Sequence, residues 1–211
     1  MSEPDEPLAP LGLEVCRLAL DLGRGRIGHP RQVGIAIRAA NFVELALDGR
    51  LVGRNWPEAQ GDSETGQAMP DAVHRTVIDL GPIRWRHWFN HVDADRRAAT
   101  GRLVTAGTWR EEGRRLVDLT DGRTLVDQQR VRLAFEQDEP PATVREATLV
   151  LLLGGAGGSY RPMPRRARGL TRTWLPPLLR TSGRGGDAIG SAVLHALAQM
   201  VRAAPVRMLS R

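Results

Sequence analysis

Two histidines and a set of arginines are the residues of this chain whose types and spacing suggest chemistry. His87 and His91 stand four apart in "RWRHWFNHV", a spacing that can turn two imidazoles onto one metal ion. No acid lies between them to complete the H-E-x-x-H pattern, and only Asp93 and Asp95 offer a third ligand. In so Trp-rich a stretch the pair reads as packing or surface groups, and no metal site is predicted. "GGAGG" (154–158) and "GRGGDAIGS" (183–191) lack the Lys-Ser/Thr that makes a phosphate loop specific, and both read as loops. There is no G-x-S-x-G elbow, and no carboxylate pair stands isolated in apolar sequence for acid–base work. The sequence makes no case for an enzyme or for a cofactor.

The arginines are more informative. Wound as a helix, "AIRAANFVELALDGRL" (36–51) gathers Asn41, Glu44 and Asp48 on a polar face, with Ile35, Phe42, Leu45 and Ala46 opposite. Arg38 precedes Phe42 by four and Leu45 by seven, so it lies on the apolar arc. A guanidinium there must snorkel to water, meet a buried anion, or bind something from outside. Arg31 lies seven before Arg38 and can share its face. Arg96 and Arg97 open a later helix, and Arg96, seven before Leu103, also lies over an apolar side. Two or three such side chains converging on a shallow pocket would bind a phosphate well.

All 30 basic residues are arginine; there is no lysine, and the net charge is +6. Arginine forks onto phosphate oxygens better than lysine does, so this balance suits an anionic polymer or surface. At 41% hydrophobic the chain is too apolar to be disordered, and at 4% aromatic its core must be mostly aliphatic. No apolar run approaches the roughly 18–20 residues that span a bilayer. The acidic, Pro-bearing start "MSEPDEPLAP" does not read as a signal peptide. The expectation is a cytoplasmic protein. Its single cysteine, Cys16, rules out an internal disulfide and reads as a small buried thiol.

These residues are positioned by a mainly α fold: a single compact helical domain with one β-hairpin. Residues 1–10 read as a mobile tail, and 13–30 as a helix to about Leu22 and a Gly-punctuated turn. The Arg38 helix stops at Gly49, and 52–70 has loop composition. Helices are predicted from Asp71 to the Gly-Pro at 81–82, over 83–92, over 93–107, over 125–137 and over 142–157. "EEG" joins two short segments of 108–119 into the hairpin. Residues 158–211 form a basic segment. Within it 160–174, with its Pro and Arg, resists regular structure, while 186–204 is an amphipathic helix packing on the same domain.

"LALDLGRGRIG", "VELALDGRL" (43–51) and "GRLVTAGTWREEGRRLVDL" together resemble the Golgi phosphoprotein 3 family, with its "L-L-L-A-L-D" opening, its helix ending in "E-L-A-L-R-G-R-L" and its helix running into a β-hairpin. Asp48 stands where that block has an arginine. The likeness covers about residues 13–155. It implies a largely helical domain, at residues 11–157, that binds phosphatidylinositol 4-phosphate at a membrane surface. Eukaryotic members act as adaptors that retain glycosyltransferases in the Golgi. The family's headgroup pocket uses a tryptophan, an arginine of the "ELAL" helix and two arginines of the helix before the hairpin. Arg38 and Arg96 match two of these positions, while His29 replaces the tryptophan and Asp93 the other arginine. Arg97 or Arg31 would supply the missing contact.

The expected function is that of a peripheral protein on the cytosolic face of a membrane, binding anionic phospholipid headgroups and acting as an adaptor for membrane protein clients. Trp109 and Arg110, an adjacent pair of the type found at interfaces, are expected to touch the membrane or a second copy of the chain through the hairpin. The alternative is a nucleic-acid-binding protein of winged-helix type, with 93–107 as its reading helix.

Overall fold

From Gln32 to Ala46 every residue is buried except Arg38, which is half-buried, so the helix Pro30–Leu47 runs through the centre of the molecule. In the computed structural model, residues 9–61, 66–157, 162–180 and 185–203 are described. In chain order the elements are α1 (Leu11–Leu18), β1 (Leu20–Asp21), β2 (Arg26–Ile27), α2 (Pro30–Leu47), β3 (Leu51–Val52), β4 (Glu58–Ala59), α3 (Ala68–Leu80) and α4 (Trp85–Trp88). There follow α5 (Asp93–Thr105), β5 (Trp109–Glu112), β6 (Arg115–Asp118), α6 (Arg123–Glu136), α7 (Val144–Ala156), α8 (Pro164–Leu179) and α9 (Gly186–Ala203). The fold is mainly α. Its strands form three two-stranded antiparallel hairpins among the described residues, where the sequence reading expected one.

Helices α1, α3, α5, α7 and α9 all pack on α2, which explains why its polar residues do not make a solvent face. Asn41 and Glu44 are buried, contrary to the amphipathic reading. Glu44 takes two hydrogen bonds from Arg145 of α7, at 2.8 and 2.6 Å, and one from the Leu11 backbone N–H at the start of α1. The charge is therefore paired inside the protein and not hydrated. Helix α7 is buried almost all round, and Thr143 caps it by accepting from the Glu146 N–H at 3.2 Å. Gly154 and Gly155 belong to this helix and not to a loop. A Cβ on Gly154 would lie 2.3 Å from the Phe135 ring, so the glycine lets α6 and α7 meet closely. Gly158 of the same run and residues 183–184 lie outside the described residues, while 186–191, expected as part of a loop, form the first turns of α9.

The segment expected to be irregular is largely α8. Pro164 sits in its first turn, where a missing N–H costs nothing, and Pro176 and Pro177 sit near its end. Along the helix Ala167, Leu170, Thr171, Trp174, Leu175 and Leu178 repeat at helical spacing, and this stripe packs on α7 and α9. Helix 83–92 shrinks to the four residues of α4, and residues 20–27 form the β1–β2 hairpin. None of the described helices is long and apolar enough to cross a membrane.

Candidate anion-binding site

Two contacts set α2 beside α5. A Cβ on Gly34 would fall 2.7 Å from the Val92 carbonyl oxygen, so only glycine lets α2 approach the start of α5 so closely. Four residues further along α2 and three further along α5, Arg38 meets Asp95. The helices thus advance in the same direction, side by side.

Arg38 does meet an anion. Its Nε and Nη2 donate to the same carboxylate oxygen of Asp95, at 2.9 and 2.5 Å, and its Nη1 donates to the Trp88 carbonyl at 2.8 Å. Three of five guanidinium donors are thereby used. The pair lines a cleft of about 370 Å³ whose other walls come from α3 and α5, with Arg102 as its further charged residue. Asp95 supplies from within the chain the oxyanion that the guanidinium fork would otherwise take from a ligand. The cleft is lined by Arg38 and by none of His29, Arg31, Arg96 or Arg97.

Arg96 follows Asp95 and lies level with Arg38, but about 100° further round α5. It is turned toward α1, where its charge acts on the Cys16 thiol. Burial nevertheless dominates there and pushes that thiol up to about 12. Arg96 is poorly satisfied. Its Nε–H is buried without a partner, and its Nη2 stands 3.9 Å from the exposed Asp93 carboxylate. Asp93, where the resemblance places an arginine, thus opposes Arg96 loosely and opens α5. Arg97 is exposed and makes no ion pair among the described residues.

His29 and Arg31 are further off. Arg31 lies about 10 Å along α2 from Arg38, from seven residues at about 1.5 Å each. Both are exposed, and His29 holds a left-handed backbone conformation (φ 46°) immediately before Pro30. Arg96 and Arg97 thus stand level with Arg38 but on other sides of α5, His29 and Arg31 lie below that level, and none of the four enters the cleft that Arg38 lines. The partner of Arg38 was missed because it stands 57 residues away. Its one sequence signal is the pair of acids, Asp93 and Asp95, directly before the two arginines.

Trp109 corrects an expectation. It is buried, at 1% exposure, so it offers nothing to a membrane or a second copy. The chain turns sharply at Gly107 (φ 72°), and the Thr108 N–H donates back to the Leu103 carbonyl, which folds Trp109 beneath α5. Arg110 is exposed but paired with Glu112 at 2.6 Å. The hairpin itself docks on its own chain, through the Leu116 N–H to the Gly25 carbonyl and Arg115 to the Gly23 carbonyl. His87 is exposed and accepts from Arg86 Nε at 3.0 Å. Among the described residues no three His, Cys, Asp or Glu side chains gather to hold a metal.

Electrostatically, the α2–α5 pair offers one internally neutralised arginine, one loosely held and one free. That arrangement can bind an anion by charge-assisted hydrogen bonds; it contains no nucleophile poised beside a base. A family profile described as Golgi phosphoprotein 3 matches residues 11–204, beyond the stretch in which the motifs are readable and through α9. Among curated proteins none matches the chain.

Proposed function

We propose, from the premise that this chain belongs to the Golgi phosphoprotein 3 family, that it is a peripheral membrane protein binding anionic phospholipid headgroups along the α2–α5 pair. Phosphatidylinositol 4-phosphate is the headgroup the resemblance implies, and retention of membrane protein clients is the role. The observation that carries the reading is Arg96. Its guanidinium Nε–H is buried without a partner among the described residues, and its ion pair to Asp93 is loose at 3.9 Å. Exposed Arg97 next to it makes no ion pair among them, so donors here remain for an oxyanion. Each arginine held near an anionic bilayer adds about 1 kcal/mol of attraction, so the excess of positive charge acts in the same sense. Because Asp95 already occupies Arg38 in the neighbouring cleft, headgroup binding rests on Arg96 and Arg97.

Liposome co-sedimentation tests this at near-physiological salt, comparing neutral vesicles with vesicles carrying phosphatidylinositol 4-phosphate or cardiolipin. Wild-type protein is expected to sediment with a particular anionic headgroup, and Arg96→Ala or Arg97→Ala to reduce that binding at least fivefold. Sedimentation that follows total negative charge and ignores both substitutions overturns the pocket and moves the nucleic-acid alternative forward.

A further inference from the structure

A second group of arginines lies apart from the α2–α5 pair. The turn between β3 and β4 contributes Arg54 and Trp56, the start of α4 contributes Arg84, Trp85 and Arg86, and α9 contributes His195. They line a cavity of about 480 Å³, a size that suits a small ligand, and its lining contains no carboxylate. None of the three guanidiniums makes an ion pair among the described residues. Arg17, Arg38, Arg50, Arg145 and Arg166 each have an acid within 2.8 Å, whereas Arg54, Arg84 and Arg86, like the exposed Arg97, have none among the described residues, and these three share one hollow. Three cations around one hollow repel each other until an anion enters.

The cavity is also held open by design of the backbone around it. Ser191, His195 and Gln199 stand four apart on one face of α9. Ser191 Oγ donates to the Arg54 carbonyl at 2.8 Å, and Gln199 Nε2 donates to the Arg86 carbonyl at 3.0 Å. The two arginine-bearing segments are thus pinned to α9 on either side of His195. The ring of His195 uses Nδ1 on the Ser191 carbonyl at 2.9 Å, which leaves Nε2 as its other polar atom. The turn that carries Arg54 is tight, since Gly53 (φ 106°) has the Trp56 carbonyl 2.2 Å from where a Cβ would stand. Trp85 of the lining is fully buried and packs edge-on against Phe42 at 5.0 Å, which anchors the segment that carries Arg84 and Arg86 to the core.

We infer that this cavity binds a phosphate monoester group. Three guanidiniums with no acid favour a dianion over the single charge of a diester, and their planar forks suit phosphate oxygens. Trp56, 37% exposed, gives a flat apolar wall for the part of the ligand next to the phosphate. The inference does not depend on the α2–α5 site, with which the cavity shares no residue.

Isothermal titration calorimetry of the full chain with inorganic phosphate and with glycerol 3-phosphate tests it. Arg54→Ala and Arg84→Ala remove exposed side chains, and thermal melts verify that the fold is kept. Exposed Arg75 of α3, changed to alanine, is the control. Saturable binding is expected, weakened at least tenfold by either Arg54→Ala or Arg84→Ala and unchanged by Arg75→Ala. Vesicles carrying phosphatidic acid, a monoester, against phosphatidylglycerol, a diester, separate the sources. Stronger sedimentation with phosphatidic acid that is lost in the same variants makes the ligand a lipid; binding of the soluble esters alone makes it a free metabolite. No saturable binding of any monoester, or binding that ignores Arg54→Ala and Arg84→Ala, overturns the site.

Discussion

Replacing Arg38 with alanine removes both hydrogen bonds to Asp95 and the one to the Trp88 carbonyl. The two side chains are only 19% and 12% exposed, so water replaces the lost guanidinium poorly. Stranding one partner of a buried pair costs about 3–5 kcal/mol. With the residual exposure of this pair the lower end applies, and about 3 kcal/mol is expected for Arg38→Ala, including an orphaned carbonyl worth about 1 kcal/mol. For a chain of this size that lowers Tm by about 6–12 °C. Asp95→Ala strands the guanidinium instead, and the double variant strands neither. The sum of the single losses should therefore exceed the loss in the double variant by about 2 kcal/mol. Urea denaturation of the four proteins measures this, with m unchanged across the set. A loss under about 1 kcal/mol for Arg38→Ala, with additive behaviour in the cycle, refutes the placement of Arg38 as a paired wall residue. The same proteins separate stability from binding. Asp95→Ala frees the fork of Arg38, so it should bind anionic vesicles several-fold better than wild type despite its lower stability.

Three further outcomes are expected. Gly154→Ala, which drives a methyl group into the Phe135 ring 2.3 Å away, should destabilise by about 1–3 kcal/mol in thermal melts although alanine is the better helix former. His74 accepts from Arg50 at its Nδ1, 3.1 Å away, and burial, followed by the Arg50 charge, lowers its pKa. The unfolded chain therefore takes up this proton first: the contribution is complete above pH about 6.5 and is lost as pH falls toward the lower folded value. His74→Gln should accordingly flatten the fall in Tm between pH 7.5 and 5.5. Cys16, buried and with its thiol pushed up to about 12, should resist a thiol reagent at pH 8 in the native protein and react fully in denaturant; fast native labelling would contradict that burial.

Local signals were legible where the chain decides locally. "EEG" gave the β5–β6 hairpin, whose turn starts at Gly113 (φ 62°), and the apolar period of 186–204 gave α9 to within a residue. The stripe of α8 is equally periodic, but the prolines and arginines of 160–174 mask it, and a proline such as Pro164 that opens a helix looks the same in sequence as one that breaks regular structure. Long-range partners were not legible. Glu44 looked solvent-facing because Arg145, which pairs with it, lies 101 residues on. Arg38 was correctly singled out as misplaced, yet nothing in its helix names Asp95. The second arginine cavity draws on three segments, none of which carries a recognisable motif by itself.

The central place of α2 has a consequence for synthesis. Its apolar sides are covered by α1 from before it, and by α7 and α9, which follow it by about a hundred residues or more. A chain emerging from the ribosome must hold α2 in the open until its last described helix is made, and such late closure makes folding slow and the unfinished chain prone to clump. Deleting residues 186–203 would not trim an edge; it would uncover one whole side of the molecule's axis.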